Sequence, residues 1–524
     1  MRVRTDKGWR AGGGCLLDHG PHPGPLLQEM EQRSHIPGSS VSVRQIAVAQ
    51  HSTILQMILP LPGGEGRGEG GCWTNRFANR SARSQDGSLL IIVLWIAFGL
   101  VALTLYFAHA MSLELRAADN RTAAIAARQA IDGAARYLSN YLGTAAYPGE
   151  MPAPADVACQ AVPVGDAPFW LIGRDTNDWD INLTQPAFGL VDEAAKLNLN
   201  AQWLTADLIQ YLPGMTPQIA AAIMDWRDAD GDVSANGAED ETYGRLATPY
   251  KTKNAAFESV EELRLIAGMT PEILYGEDAN LNGILDANEN DADNAAPYDN
   301  RDGRLDPGLM EYFTVYTREP APGTNANSRQ DVQGLLETVF GQSRATEMIG
   351  QLFPRRPPGV PPQTFSSVLE FYLRSGMTAE EFAQVADLVT VATGGFTVGL
   401  VNVNTAGQPV LECIPGIGLD YAAQMISYRE SNPSKLTTVA WVAEVIGDTN
   451  AVTAGPHVTT HSYQYTADVA AVGQHYRGYQ RVRFVFDTSE GAPIILRRQD
   501  LTHLGWALGK EARTELLASA KETR

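Results

Sequence analysis

From Ser88 to Leu113 the chain carries no charged residue, and Leu, Ile, Val, Phe and Ala fill most positions. About 20 such residues cross a hydrocarbon core. A segment in lipid must satisfy its own backbone polar groups, so the pattern predicts a spanning helix. Beyond that run the pattern changes without breaking. Apolar residues return at helical spacing, at Leu115, Ala118, Ile125, Ile131, Ala135, Leu138 and Leu142, and no proline occurs before Pro148. Read as one element, Ser88 to Leu142 makes a rod of roughly 80 Å at about 1.5 Å per residue, half of it for lipid and half standing above.

Prolines 148, 152, 154, 163, 168 and 186 mark loops, with a strand expected around Phe169 to Ile172. Phe188 to Asn200 reads as two strand pieces around a turn, the second alternating Leu197 and Leu199 with Asn198 and Asn200. Glu311 to Thr317 reads as a strand that returns to the sheet, and residues 319–329 as a Pro/Asn/Ser linker. Residues 461–472, 479–486 and 493–498 alternate as strands, with Arg481, Arg483, Phe484 and Phe486 making the middle run amphipathic. Residues 510–524 read as a polar, helix-prone, solvated tail.

An internal repeat lies between these strands. Leu197-Asn-Leu-Asn200 precedes a helix, then Leu212-Pro-Gly-Met-Thr216, then a second helix ending near Arg227. Val401-Asn-Val-Asn404 precedes a helix, then Ile414-Pro-Gly-Ile-Gly418, then a helix ending near Arg429. A related helix follows each unit, Phe257 to Gly268 and Leu436 to Gly447, and a third copy runs from Phe365 to Gly376. Glycine closes all three, as helix C-termini prefer. Helix, Pro-Gly turn, helix is also a DNA-binding pattern, in which turn N–H groups hold phosphate. Here no Lys or Arg lies in 212–224 or 414–427, and Asp207, Asp225, Glu412 and Asp420 flank the turns. Packing is therefore the favoured role of the hairpins.

Charge narrows the function. The chain has 524 residues with 40 Lys+Arg against 60 Asp+Glu, a net charge of −20, which makes nucleic acid a poor partner for the whole. Nucleophile elbow, Walker loop and HExxH signatures are absent, so the chain reads as a non-enzyme. His109 reads as an interfacial residue at the membrane edge, and Trp95, Trp203, Trp226 and Trp441 as packing residues. Four cysteines occur, Cys15, Cys72, Cys159 and Cys413, with no CxxC pair. Cys159 and Cys413 can pair in an oxidising compartment, but sequence alone leaves that open. Residues 1–86 are crowded with Gly, Pro and Arg and show no hydrophobic period; they read either as a misassigned start or as a disordered cytoplasmic tail. Arg76, Arg80 and Arg83 just before the span place that side in the cytoplasm and the rest of the chain outside it.

A short basic leader, a glycine and an uncharged apolar helix together resemble a prepilin junction. Gly87-Ser-Leu-Leu-Ile-Ile-Val-Leu-Trp-Ile96 resembles the start of the general secretion pathway protein K family, the large minor pseudopilins of type II secretion. The segments Asp192-Glu193 with Lys196-Leu-Asn-Leu-Asn200, and Asn236-Gly-Ala-Glu-Asp240, are similar to segments of that family. The resemblance runs from Gly87 to roughly Arg498. It implies cleavage by prepilin peptidase between Gly87 and Ser88, followed by methylation of the new N-terminus. Asp86, beside the glycine, departs from the usual basic leader residue. The fifth mature position is Ile92, where most pilins carry a glutamate. A carboxylate there can pair with a neighbouring subunit's N-terminal amine in lipid-like surroundings, where an unpaired charge is costly. A subunit lacking it cannot pair with another stacked above it, which suits the end of a fibre.

Two acidic loops stand out. Asp278 to Glu289 matches the calcium-loop pattern D-x-[DN]-x-[DN]-G-x5-E in full. Asp278, Asn280 and Asn282 offer side-chain oxygens, Gly283 permits the bend, Ile284 offers its carbonyl, Asp286 stands at position nine and Glu289 closes the shell. Two asparagines lower the negative charge, so modest Ca2+ affinity is expected. The second loop, from Asp228 to Glu241, places Asp228, Asp230 and Asp232 at alternate positions with Glu239 at the twelfth and Asp240 beside it. Its glycine falls at position four instead of six, so calcium and a solvated loop both stay open. The resemblance places a calcium site near the Asn-Gly-Ala-Glu-Asp segment. Asp291, Asp293, Asp299 and Asp302 form a further acidic stretch without clean spacing, read as solvated.

The expected fold is α+β, a pilin-like long N-terminal helix packed on a small antiparallel sheet, with a large inserted all-α domain containing helix-hairpin-helix-like repeats. The expected divisions are a leader or misassigned start (1–87), a transmembrane helix (88–113), a pilin-like helix and first strands (114–200), an inserted helical domain with acidic loops (201–310), a returning strand (311–318), a second helical repeat region (319–450), and C-terminal strands and tail (451–524). The resemblance implies a minor pseudopilin that caps the pseudopilus tip and nucleates its assembly for export across the outer membrane. It would sit in the inner membrane with its head in the periplasm and partner the I- and J-type minor pseudopilins. The alternative is a membrane-anchored helix-hairpin-helix protein for DNA binding or uptake, which would need a basic face.

Overall fold

The computed structural model describes residues 86–522 apart from 145–147, 154, 175–185, 292–295, 358 and 360–363. The expectations for residues 1–85, including Arg76, Arg80, Arg83, Cys15 and Cys72, and that for Asp293, lie outside the described residues. Asp86–Gly143 forms one helix, α1, of 58 residues. Its first half, including Leu89, Trp95, Leu105 and Leu115, is exposed along its length. From Leu89 it is long and apolar enough to cross a membrane, with a mean hydropathy of 2.7 over its most apolar window.

The second half of α1 packs on a sheet. Ala127, Ala130, Ile131, Ala134 and Leu138 recur at three- and four-residue intervals and are fully buried. They meet Phe169, Leu171, Tyr465, Val469, Val482, Phe484 and Phe486 in one core. Burying a side chain such as Leu138 contributes about 2 kcal/mol. Alanines on this face bring helix and sheet close together. At Gly473 a Cβ would lie 2.0 Å from the Ala123 carbonyl oxygen, so a side chain there would push the hairpin off the helix.

The sheet has six strands. Val162–Val164 (β1) pairs with Ala167–Ile172 (β2), which pairs with Gln464–Gly473; the order continues through Arg477–Asp487 to Ile494–Asp500. Val191–Asp192 (β3) also pairs with the Gln464–Gly473 strand, and every pairing is antiparallel. The strand Gln464–Gly473 is buried at every position, because α1 covers one face and other elements the opposite one. On that opposite face Trp170, Ile172, Ala470 and Val472 meet Ala507, Leu508 and Ala512. The C-terminal helix Gly509–Glu522 is thus docked at its start, where a solvated tail was expected.

Everything between β3 and Gln464 is inserted into this small sheet. Glu311 to Thr317 does not return to it. Phe313–Thr314 pairs in parallel with Leu197–Asn198, and Arg318–Pro320 pairs with Phe396–Val398. The reason is that β2, β3 and Arg477–Asp487 already occupy the edges of the Gln464–Gly473 strand. Within the expected linker, Thr324–Asn325 pairs with Val389–Thr390.

The two repeat units share side-chain bonds as well as pattern. Arg227 donates to the carbonyls of Leu199 (2.7 Å) and Ala201 (2.9 Å), and Arg429 donates to those of Val403 (2.9 Å) and Ala406 (2.7 Å). Asn200 bonds both backbone groups of Phe257, and Asn404 donates to Leu436 while accepting from the Trp441 indole. Each asparagine thereby ties its strand to the start of the helix that follows the hairpin. Gly376 and Gly447 close two of those helices at positive φ of 65° and 75°, whereas the first is a 3-10 helix that ends at Leu265 with Ile266 as its cap, short of Gly268. The second Pro-Gly turn is enclosed: a Cβ on Gly416 would lie 2.5 Å from the Asn450 carbonyl oxygen. Cys159 packs against the α1 core and Cys413 is buried in the helical core, so no disulfide joins them.

Candidate functional site

The Asp278–Glu289 loop follows the short helix Pro271–Tyr275, and no helix follows it directly. Its polar side chains turn inward. Asp278 and Glu289 are buried, as are Asn280 and Asn282. Asp278 accepts from the N–H groups of Asn282 (2.9 Å) and Gly283 (2.7 Å). Glu289 accepts from Ala279 (3.0 Å) and Asp286 (2.9 Å). Asn280 and Asn282 both donate to one oxygen of Asp286. Asn280 Oδ1 is buried with no hydrogen-bond partner. Burial raises the Asp278 carboxyl against the pull of Arg174, and burial with the nearby Asp278 charge pushes Glu289 up to about 8. Leu281 and Gly283 take positive φ of 54° and 78°, which curls the backbone around these groups.

Arginines hold the loop from outside. Arg481 is fully buried and donates to the carbonyls of Asn280 and Leu281. The same guanidinium makes two bonds to Asp468, at 2.8 and 2.7 Å, and Arg483 adds two, at 2.9 and 3.3 Å. Arg174 donates to the Leu281 carbonyl and lies 3.4 Å from Glu311. In this cluster three arginines face five carboxylates, Asp468, Glu311, Asp278, Asp286 and Glu289.

The second loop differs from its sequence reading. Asp230, Asp232 and Asp240 are exposed, and Asp240 accepts from the Thr252 N–H. The carboxylates brought inward are Asp228, Glu239 and Asp225, the last two buried and Asp225 fully so. Asp225 Oδ1, Asp228 Oδ1 and both Glu239 oxygens lack hydrogen-bond partners, as does Asn254 Oδ1 nearby. Burial raises the Asp228 and Glu239 carboxyls, and the neighbouring Asp225 charge adds to both. The turn of this loop falls late, at Asn236 with φ 67°, and Asp230 and Asp232 before it stay in solvent. Asp225 was missed in sequence; its signal was a carboxylate between Met224 and Trp226 in an otherwise apolar helix. As placed, no three His, Cys, Asp or Glu side chains among the described residues close on one point. A cation in either loop would therefore draw on amide and backbone oxygens too.

The model of the first domain of type II secretion system protein K matches residues 189–275. Those residues resemble the first domain of protein K. They include β3, the first repeat unit and the second acidic loop, and end just before Asp278. A type II secretion system protein K from Pectobacterium carotovorum subsp. carotovorum is 45% identical over 56 residues, 11% of this chain and 17% of that protein. One from Klebsiella pneumoniae is 42% identical over 81 residues, 15% of this chain and 24% of that protein. The matched stretch thus spans at most about a quarter of these relatives. The crystal structure of the GspK-GspI-GspJ complex from enterotoxigenic Escherichia coli aligns at 12% identity with a TM-score of 0.31, covering 76% of this chain and 98% of that one.

Gly87 and Ser88 lie in the first turn of α1, and Ile92 is exposed on it.

Proposed function

We propose that this protein is a minor pseudopilin of type II secretion, anchored in the inner membrane by α1, which caps the pseudopilus and helps nucleate it. The observation that carries this reading is the match to the first domain of protein K at residues 189–275, set in the sheet that packs on an exposed apolar helix. Three features support the terminal position. Ile92 offers no carboxylate to a subunit above. Most of the head, from Glu193 to Tyr463, is inserted between two paired strands, so the head is bulky for its sheet. The first half of α1 is free of head contacts and can pack among other pilin helices. The proposed partners are the I- and J-type minor pseudopilins, and the role is structural, without catalysis. Antibody labelling of pseudopili carrying this subunit should mark filament ends only. Label repeated along the shaft would end the capping reading.

Calcium belongs to the same proposal. Asp278, Asn280, Asn282, the Ile284 carbonyl, Asp286 and Glu289 would hold one ion; the orphaned Asn280 oxygen and the buried Asp278 and Glu289 carboxyls fit it. Asp225, Asp228, Glu239 and Asn254 would hold another, in place of Asp230, Asp232 and Asp240. The ion would neutralise buried carboxylates and stiffen each loop. Hydrogen exchange of the full chain in detergent should slow in residues 278–289 when calcium replaces EGTA. Unchanged exchange there would remove the ion from the loop.

A further inference from the structure

We infer that Arg481 is a positioning residue for the Asp278–Glu289 loop, through which cation binding there is coupled to the central sheet. The inference rests on the calcium reading of that loop. Arg481 lies in the strand Arg477–Asp487, whose register with Gln464–Gly473 sets Val469 opposite Val482 and Asp468 opposite Arg483. It is buried, although an arginine alternating with apolar residues reads as a solvated face. What covers it is the loop itself, 200 residues away in sequence, through the Leu281 carbonyl at 2.6 Å and the Asn280 carbonyl beside it. Asn280 is also held from its side chain, which donates to the Trp506 carbonyl at 3.2 Å.

The geometry separates two jobs on one guanidinium. Its Nε and one Nη engage Asp468, and the Nη groups reach the two loop carbonyls. Asp468 offsets part of the combined charge of Arg481 and Arg483, and the bonds from Arg481 to the two carbonyls fix the orientation of the loop. With carbonyls 280 and 281 held outward against the sheet, the side chains at positions 278, 280 and 282 are left to face inward, where the ligands must point. A planar fork is needed, since the three donors of an ammonium cannot make two bonds to Asp468 and one to each carbonyl. Outer partners of this kind typically change metal affinity about 10- to 100-fold when removed. Linkage then requires that the ion, in turn, protect the strand that carries Arg481.

The test uses the full chain in detergent, stripped with EGTA and titrated with calcium chloride. Wild type, Arg481→Lys and Arg481→Met are compared by hydrogen exchange, which reads residues 278–289 apart from the second loop. In wild type, calcium should slow exchange both in that loop and in residues 479–485. Arg481→Lys keeps the charge against Asp468, so it is the variant expected to fold; its loop should need about 10-fold more calcium, and the strand should lose its calcium response. Arg481→Met should do the same, and if it fails to fold the lysine variant decides. A folded Arg481→Lys protein with wild-type calcium response in loop and strand would overturn the positioning role and leave the calcium site standing. No calcium response in the wild-type loop would overturn both.

Discussion

Asp468→Asn is expected to destabilise the folded head by about 3–5 kcal/mol in guanidinium denaturation, the cost of breaking a buried pair from one side. Asp468 is almost fully buried between Arg481 and Arg483, and the Arg481 guanidinium is wholly enclosed. Removing the carboxylate charge leaves Arg481 in the interior beside a second arginine. Its remaining partners, the carbonyls of Asn280 and Leu281, carry no net charge. The effect also has a pH signature. Burial works against the charged form of Asp468, but Arg481 and Arg483 outweigh it and hold the carboxyl well below the ordinary range. A group depressed in this way contributes stability that is fully present above its unfolded pKa, about 3.9. That contribution is lost as pH falls further toward the folded value. Wild type should therefore lose this increment on acidification, and the asparagine variant should lack it at every pH. A loss under about 1 kcal/mol at neutral pH would mean that the arginines are hydrated, which their burial denies.

The second large effect concerns processing. Gly87→Val should leave the chain uncut, with residues 1–87 retained on the membrane form, whereas the wild-type mature chain should begin at Ser88. The scissile position sits in the first turn of α1, at the edge of the uncharged run, and a glycine there lets a peptidase approach backbone without a Cβ in the way. Mass analysis of the N-terminus decides the matter. A wild-type terminus at any residue other than Ser88 would remove the pilin-type reading, whatever the variant does.

The helix and the first acidic loop were legible for the same reason: each is written in consecutive residues. The apolar run and the later helical spacing predicted Ser88 to Leu142, and α1 spans Asp86–Gly143. The repeat was legible too, because Leu197-Asn-Leu-Asn200 and Val401-Asn-Val-Asn404 recur with the same Pro-Gly turn after them. Strand pairing was not. β2 finds its partner at Asp468 to Ala471, almost 300 positions on, and nothing in the alternation of residues 311–317 told that segment that the sheet had no free place for it. The second acidic loop misled for a related reason. Alternating aspartates at 228, 230 and 232 suggested ligands, but Asp230 and Asp232 lie in solvent and the carboxylates turned inward are Asp225, Asp228 and Glu239.

What the sequence determined by itself was the long helix with its uncharged first half and the spacing of the polar residues in 278–289, since helical period and loop spacing depend only on near neighbours. Tertiary structure alone decided that Arg481 is buried and that the loop rests on the sheet. Burial depends on which distant surface closes over a side chain. For Arg481 that surface comes from a loop inserted between two strands that the chain separates by most of its length.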